Sequence, residues 1–161
     1  MDVSIVRCTT PDPRWVKCRA ELWPEEAPAE HLDQVARLLR SDAAFVALLA
    51  LDSADAVGFA EVLLRHDPVN GCDTTPVAFL EGVWVAAPYR RRGIARSLLA
   101  AAEIWARELG CTEFASDALL DNVASHTFHR AAGFVESERV VYFRKAMPSA
   151  PDGRLNPVMP V

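Results

Sequence analysis

Three consecutive arginines followed by a glycine, Arg90–Gly93, precede a helical pattern in the middle of the chain. Free backbone N–H groups and the positive end of the helix dipole make the start of a helix a favourable anion site. Glycine lets a phosphate approach the backbone closely, and arginine pairs well with phosphate oxygens. The turn can therefore hold a pyrophosphate. Taken alone, a solvated basic turn with glycine at a tight bend explains it equally well.

Carboxylates in unusual places are the second chemical feature. Glu81 interrupts the apolar strand VAFLEGVWV, and Asp117 closes the segment EFASD. Burying a carboxylate is costly unless it faces a cleft or has a partner. Glu81 could instead be a strand-end glutamate paired with an arginine, and helix capping would suit Asp121 better than Asp117. Several carboxylates around one cleft would attract a polycation, and one could accept a proton from an attacking amine.

Other ligand classes are excluded by pattern. The P-loop form G-x-x-x-x-G-K-[ST] and the dinucleotide form G-x-G-x-x-G are both absent. The four cysteines show no C-x-x-C spacing, so we expect no metal site. We expect their thiols to be reduced and to fill the core.

Composition restricts the partners. The 161 residues carry a formal net charge of -5, which disfavours non-specific nucleic-acid binding and favours a cationic partner. The N-terminal residues lack a signal-peptide pattern, and no apolar stretch is long enough to cross a membrane. We therefore expect a cytoplasmic protein without a membrane partner.

Periodicity predicts the elements that position these residues. Residues 1–147 are expected to form one α/β (α+β) domain with a mixed sheet, and residues 148–161, rich in proline, a C-terminal tail. The predicted strands are Val3–Cys8, Phe45–Leu51, Val57–Arg65, Val77–Val85 and Glu113–Ser116, with Phe134–Lys145 as a hairpin or bent strand. The predicted helices are Pro13–Leu22, Glu30–Arg40, Gly93–Leu109 and Asn122–Ala132.

Two motifs resemble those of the GNAT superfamily of N-acetyltransferases. Arg90-x-x-Gly93-x-Ala95, directly after the strand FLEGVWV, resembles its acyl-coenzyme A signature. The segment Asn122–Phe134, N-x-x-S-x-x-F-x-x-x-x-G-F, resembles its next motif, at the right distance along the chain. The resemblance implies the GNAT fold: a mixed, mostly antiparallel sheet with helices on both faces and a fourth strand splayed from the fifth. It also implies acetyl-coenzyme A as co-substrate.

In such enzymes the pantetheine arm lies between the splayed strands. The resemblance implies that backbone groups of Val83 and Val85 pair with this arm, and a backbone N–H there could polarise the thioester carbonyl. Asn122 would contact the pantetheine or the thiol side. The implied cofactor-binding residues are Val83, Val85, Arg90, Arg91, Arg92, Gly93, Ala95, Arg96 and Asn122.

Longer segments resemble one branch more closely. VNGCDTTPVAFLEGVWV, CTEFASDALLDNVASHTFHRAAGF and VVYF are similar to chromosomal-type aminoglycoside 6'-N-acetyltransferases, and the likeness runs from Glu21 to Phe143. It implies a bacterial, homodimeric enzyme that transfers an acetyl group from acetyl-coenzyme A to the 6'-amine of aminoglycoside antibiotics. Direct amine attack in a ternary complex would confer resistance.

The same resemblance assigns substrate roles. Trp23 would form part of the antibiotic-binding wall, although a core tryptophan is an equal alternative. Glu81 and Asp117 would bind amines near the reacting position, with Asp117 as general base. Asp73 and Glu136 would contact distal sugar rings.

The sequence also departs from its relatives. His129 stands where many superfamily members carry a tyrosine that protonates the thiolate, and the general acid is left open. Pro68 replaces an aromatic residue before VNG, so one stacking contact with substrate is missing. We expect Tyr142 to be structural.

Two other functions compete. The chain could acetylate a polyamine or a protein amino terminus, although the carboxylates fit a polycation better than a peptide terminus. It could instead be a non-catalytic acyl-coenzyme A sensor, which would bind the cofactor without turnover.

Overall fold

Five strands form one sheet in the computed structural model, which describes residues 3–147. They lie in chain order across the sheet, and every neighbouring pair is antiparallel except the last, which is parallel. The strands are β1 (Val3–Cys8), β2 (Phe45–Asp52), β3 (Asp55–Arg65), β4 (Val77–Val85) and β5 (Phe114–Ser116). The predicted mixed, mostly antiparallel sheet is confirmed.

Four helices join and cover the strands: α1 (Pro13–Leu22), α2 (Pro28–Arg40), α3 (Ile94–Glu108) and α4 (Val123–Ala131). Asp12 starts α1 by accepting a hydrogen bond from the Arg14 backbone, and Pro13 takes the first position, where its missing N–H costs little. Asn122 caps α4 by accepting from the Ser125 N–H at 3.0 Å, so the cap is not Asp121. Within residues 3–147, no helix is long and apolar enough to span a membrane.

The helices cover both faces of the sheet, as predicted. On one face, α3 and α4 contribute Leu98 and Phe128 to a core that includes Leu80 of β4. On the other face, α1 contributes Trp15 to a core that includes Phe59 of β3, and α2 packs there too. Burial of these apolar stripes stabilises the helices, since isolated helices of this length are marginal in water.

Strands β4 and β5 separate after three residue pairs. Ala78–Leu80 pairs with Phe114–Ser116, but β4 continues to Val85 without β5 beside it. We call the space between them the β4–β5 gap. It confirms the predicted splay of the fourth strand from the fifth.

A β-bulge lies where the gap begins. Leu80 of β4 lies opposite Val62 of β3, and Gly82 lies opposite Glu61, so Glu81 is an extra residue in the pairing of β3 with β4. Bulges re-aim side chains locally and increase strand twist. At Glu81, therefore, the alternation of side chains between the two faces of the sheet is interrupted.

The predicted hairpin or bent strand Phe134–Lys145 is wrong, since residues 134–147 contain no helix or strand. Phe134 packs on Phe114 of β5 with ring centroids 5.5 Å apart, but Tyr142 and Phe143 are 82% and 94% exposed. The apolar run favours a strand, but a strand also needs a partner for its backbone hydrogen bonds. The predicted tail, 148–161, lies outside the described residues, and the domain boundary at 147 stays a prediction.

The four cysteines are free thiols, three of them buried: Cys8, Cys18 and Cys111. Burial raises the pKa of Cys8 to about 11 and that of Cys18 to about 12. The reactive species is the thiolate, so these thiols should be inert at neutral pH.

We expect iodoacetamide to label Cys72 first and the other three cysteines only on unfolding, measured by peptide mass spectrometry. Early labelling of Cys8 or Cys18 would contradict this packing.

Candidate functional site

The basic turn leads from β4 into α3. A short 3-10 turn, Ala87–Tyr89, is followed by exposed side chains at Arg90, Arg91 and Arg92. Gly93 then precedes the first helical residue with φ +83°, a left-handed conformation that glycine adopts without strain. No side chain caps the helix at this glycine. The start of α3 therefore offers backbone donors to an external anion.

Hydrogen bonds fix this turn to the sheet. Arg90 donates from Nε to the Val85 carbonyl oxygen at 2.9 Å. The Arg92 guanidinium lies 5.5 Å from the centre of the Tyr89 ring, and the Tyr89 hydroxyl donates to Asp52 at 2.9 Å. The turn is thus anchored at the end of β4 and to β2. Arg96 is exposed in the first turn of α3, beside the half-buried Ala95.

The β4–β5 gap begins beside the carboxylates and runs toward the basic turn. Val83 and Val85 pair with Ala60 and Gly58 of β3, and β5 does not extend alongside them. A Cβ built on Gly93 would meet no atom within 4 Å, so the space beside the turn is open. The unpaired edge of β4 and the uncapped, arginine-rich turn fit the extended arm and the diphosphate of acetyl-coenzyme A.

Glu81 and Asp117 occupy equivalent places on neighbouring strands. Leu80 and Ser116 form the last residue pair between the parallel strands β4 and β5, and the two carboxylates come next in each chain segment. The Glu81 side chain is 27% exposed, and Asp117 is exposed. The structure therefore brings both predicted residues to the start of the β4–β5 gap.

Glu81 also has an ion-pair partner, whose identity the sequence did not reveal. Arg65, the last residue of β3, places Nη2 2.7 Å from Glu81 Oε1. Its guanidinium carbon lies 3.5 Å from the centre of the Phe79 ring. The predicted alternative of a pairing with an arginine is thus confirmed, but Glu81 lies in the middle of β4 and not at a strand end, at the start of the β4–β5 gap.

Trp23 lies against β4 next to Glu81. It follows the last residue of α1, and its ring is half-buried. A Cβ on Gly82 would approach the ring of Trp23 to 2.7 Å, so only glycine permits this contact. The Arg19 guanidinium lies 4.6 Å from the ring centre, and Phe59 contacts it edge-on at 6.1 Å. Trp23 is therefore part of the surface next to the carboxylates, and also packs on the core.

A buried ion pair supports Trp23. Glu61 accepts hydrogen bonds from Arg19 and from the Trp15 indole. Burial raises the pKa of the Glu61 carboxyl, while the charge and hydrogen bonds of Arg19 act in the opposite direction. The sequence signal for this pair is a glutamate inside the apolar run AVGFAEVLL, since a charged residue in a buried strand needs a partner.

Asp73 is held in the loop between β3 and β4. Its backbone N–H donates to Glu113 at 3.0 Å, and the Thr74 N–H donates to the same carboxylate at 2.6 Å. The hydrogen bond from the Thr74 side chain is the largest influence holding the pKa of Glu113 below its usual range. The loop is thus fixed just before β5 begins.

Glu136 lies in the irregular segment after α4. It accepts a hydrogen bond from Arg139 at 2.5 Å, and this contact lowers the pKa of Glu136. The loop that carries Asp73 reaches the same region, since a Cβ on Gly71 would collide with Ser137. The two acidic positions assigned to distal rings therefore lie on segments that touch.

His129 and Asn122 lie at the two ends of α4. His129 Nδ1 is 2.8 Å from the Ser125 carbonyl oxygen, to which it donates, and Nε2 is 3.0 Å from the Ser116 hydroxyl. The ring also packs on Phe134 at 5.2 Å. These contacts link α4 to the end of β5 and give His129 a structural role. Within residues 3–147, no group of three or more metal-ligating side chains could hold an ion.

Comparison with known proteins agrees with this geometry. Residues 10–134 match the model of the Acetyltransferase (GNAT) family. The aminoglycoside N(6')-acetyltransferase type 1 of Acinetobacter genomosp. 13 is 48% identical over 131 residues, 81% of this chain and 89% of that protein. The enzyme of the same name from Salmonella typhimurium is 41% identical over 145 residues, 90% and 99% of the two chains.

Solved structures give the same result. The apo structure of AAC(6')-IG from Acinetobacter haemolyticus has a TM-score of 0.83 at 41% identity, covering 92% of this chain and all of that one. AAC(6')-Iy in complex with the bisubstrate analog CoA-S-monomethyl-acetylneamine has a TM-score of 0.85 at 38% identity, covering 91% and 100%. The chain therefore belongs to the GNAT family of acetyltransferases and, within it, to the aminoglycoside 6'-N-acetyltransferases.

Proposed function

We propose that this chain transfers the acetyl group of acetyl-coenzyme A to the 6'-amino group of aminoglycoside antibiotics and so confers resistance. The observation that carries the proposal is the position of Glu81 and Asp117, which directly follow the last residue pair of β4 and β5 at the start of the β4–β5 gap. The names of the relatives and the bisubstrate complex of AAC(6')-Iy support the same substrate class.

The parts of acetyl-coenzyme A would bind to β4, to the turn after it and to the starts of α3 and α4. The start of α3 and the arginines would bind the diphosphate, and the backbone of Val83 and Val85 would pair with the pantetheine arm. Asn122 accepts a hydrogen bond within α4 through its amide oxygen, and its amide nitrogen would face the thiol side. The residues assigned to the diphosphate are Arg90, Arg91, Arg92, Gly93, Ala95 and Arg96.

The substrate roles use the acidic side chains and Trp23. Trp23 would pack against a sugar ring, Glu81 would bind an ammonium group, and Asp73 and Glu136 would contact distal rings. Asp117, directly or through a water, would take the proton of the attacking amine. The amine nitrogen bonds to the acetyl carbon, the carbon–sulfur bond breaks, and the thiolate leaves.

A panel of amines tests the proposal. Thiol release from acetyl-coenzyme A is measured with an aminoglycoside bearing a 6'-amine, a matched one bearing a 6'-hydroxyl, spermidine and a short peptide. Turnover only with the 6'-amine is expected. Turnover with spermidine or peptide alone would show an acetyltransferase but contradict the aminoglycoside as its substrate. No turnover with any of the amines would favour the non-catalytic acyl-coenzyme A sensor.

The proposal extends to assembly and location. A homodimer is supported by the exposed apolar side chains of Val141, Tyr142 and Phe143, which a second copy could cover. A cytoplasmic location is supported by the four free thiols, which are typical of a reducing compartment.

Phe143→Asp should shift the dimer to a monomer, because it places a charge in the apolar contact. Light scattering after size exclusion measures the mass at several protein concentrations. Leu32→Asp is the control, since Leu32 is an exposed apolar residue on α2. A monomeric wild-type chain, or a Phe143 variant as dimeric as wild type, would overturn the proposed interface.

A further inference from the structure

Arg65 holds the carboxylate that the proposed function assigns to a substrate ammonium group. Its Nη2 atom is 2.7 Å from Glu81 Oε1, and both side chains are partly exposed, Arg65 by 40% and Glu81 by 27%. The guanidinium also stacks 3.5 Å from the centre of the Phe79 ring. The anchoring on Phe79 gives the cation a defined place beside Glu81.

A guanidinium in this place affects cation binding in two opposite ways. It could orient the Glu81 carboxylate, but a partly exposed ion pair contributes little to stability. It also occupies the carboxylate that an incoming ammonium group would use, and it repels that group, because like charges at contact distance repel each other. Because the orienting contribution of such a pair is small, competition for the carboxylate and repulsion of the second cation are the effects that we expect to dominate.

The position of Glu81 in the bulge favours the same conclusion. Glu81 is the extra residue of β4, next to Gly82 and the ring of Trp23, so the bulge sets the direction in which its side chain leaves the strand. That direction is a property of the backbone and does not require Arg65. Removing the cation would leave a carboxylate still placed at the start of the β4–β5 gap.

We infer that Arg65 is an internal competitor for the ammonium group that Glu81 binds, and so limits the affinity for the aminoglycoside. The inference rests on the proposed function, because it takes Glu81 as a substrate-binding residue. Binding of the antibiotic requires the Arg65 side chain to leave Glu81 or to tolerate a second cation beside it. In either case Arg65 weakens binding of the amine without touching acetyl-coenzyme A.

Arg65→Met tests this inference, because methionine keeps an apolar contact with Phe79 and removes the charge. We expect the Kd of a 6'-amino aminoglycoside, titrated calorimetrically into enzyme saturated with coenzyme A, to fall about 3- to 10-fold. The KM of the antibiotic should fall in parallel, while the KM of acetyl-coenzyme A stays unchanged. Arg65→Lys retains the cation and should remain close to wild type.

Two controls make the result specific. Arg37→Met removes an equally positive, exposed residue of α2 and should leave the Kd unchanged, which excludes an effect of net charge. In a Glu81→Gln background, Arg65→Met should lower the Kd by less than it does in the wild type, since there is no carboxylate to free and only the repulsion is removed.

The outcomes separate the inference from the proposed function. If Glu81→Gln weakens binding while Arg65→Met weakens it too or does nothing, the competitor role is wrong and the proposed function stands. If neither change affects an enzyme that acetylates the antibiotic, Glu81 is not a substrate contact and the inference fails. Absence of antibiotic turnover by the wild-type enzyme would overturn both.

Discussion

Asp117→Asn is expected to lower kcat about 100- to 1000-fold, the usual contribution of a positioned general base. Asp117 directly follows β5, beside Glu81 at the start of the β4–β5 gap, and it is exposed to an entering amine. Asparagine keeps the size and the hydrogen-bonding oxygen but cannot accept a proton. Steady-state kinetics with the antibiotic varied and acetyl-coenzyme A saturating measure the effect.

Asp121→Asn is the matched control for this change. Asp121 is an exposed carboxylate in the same loop, four residues further on, and it does not cap α4. Its variant should keep a kcat near wild type. If Asp117→Asn raised only the KM of the antibiotic, Asp117 would be a binding residue and the base would lie elsewhere.

Gly93→Asp should raise the KM of acetyl-coenzyme A about 10- to 100-fold. It puts a negative charge at the start of α3, where the proposed diphosphate would bind, and a β-carbon at a φ of +83°. Repulsion of a diphosphate at close range is worth several kcal/mol before screening, and each tenfold corresponds to about 1.4 kcal/mol. The KM of the antibiotic should change little.

Two variants separate charge from backbone strain. Gly93→Asn has nearly the same size, and asparagine tolerates the left-handed conformation, so it should raise the KM far less. Gly110→Asp introduces the same strain at the other end of α3, where φ is +82° and a Cβ meets no atom within 4 Å. Equal KM values for acetyl-coenzyme A in the Gly93 and Gly110 aspartate variants would remove the diphosphate from this turn.

The sequence predicted most elements because each has a strong local signal. The stripe through Leu98 and Trp105 predicts α3, and the helix starts directly after Gly93. All predicted helices and the first five strands appear, with ends shifted by no more than two residues. The pairing of Leu80 with Ser116 then places Glu81 and Asp117 at the same end of the β4–β5 pairing, which spacing along the chain alone cannot show.

The sequence-based predictions failed where contacts between residues far apart in the chain determine the structure. The run Val140–Phe143 has the composition of a strand, but no described strand pairs with it. Arg65 and Glu81 are 16 residues apart, and their ion pair depends on how β3 and β4 are aligned. The buried pair of Arg19 and Glu61 likewise joins a helix to a strand 42 residues away. Periodicity describes one element at a time and does not detect such pairs.

Because of the bulge at Glu81, the number of residues in β4 determines which face of the sheet Val83 to Val85 occupy. Ala78 and Leu80 before it, and Val83 and Val85 after it, pack toward α3, although strict alternation would put the second pair on the opposite face. Trp84 packs toward α1 and α2 instead. Deleting one residue here would exchange the faces of Val83 to Val85 while leaving the composition of the strand almost unchanged. In directed evolution of this enzyme, single-residue deletions should therefore be eliminated at this point of β4, even where conservative substitutions of Val83 to Val85 are accepted.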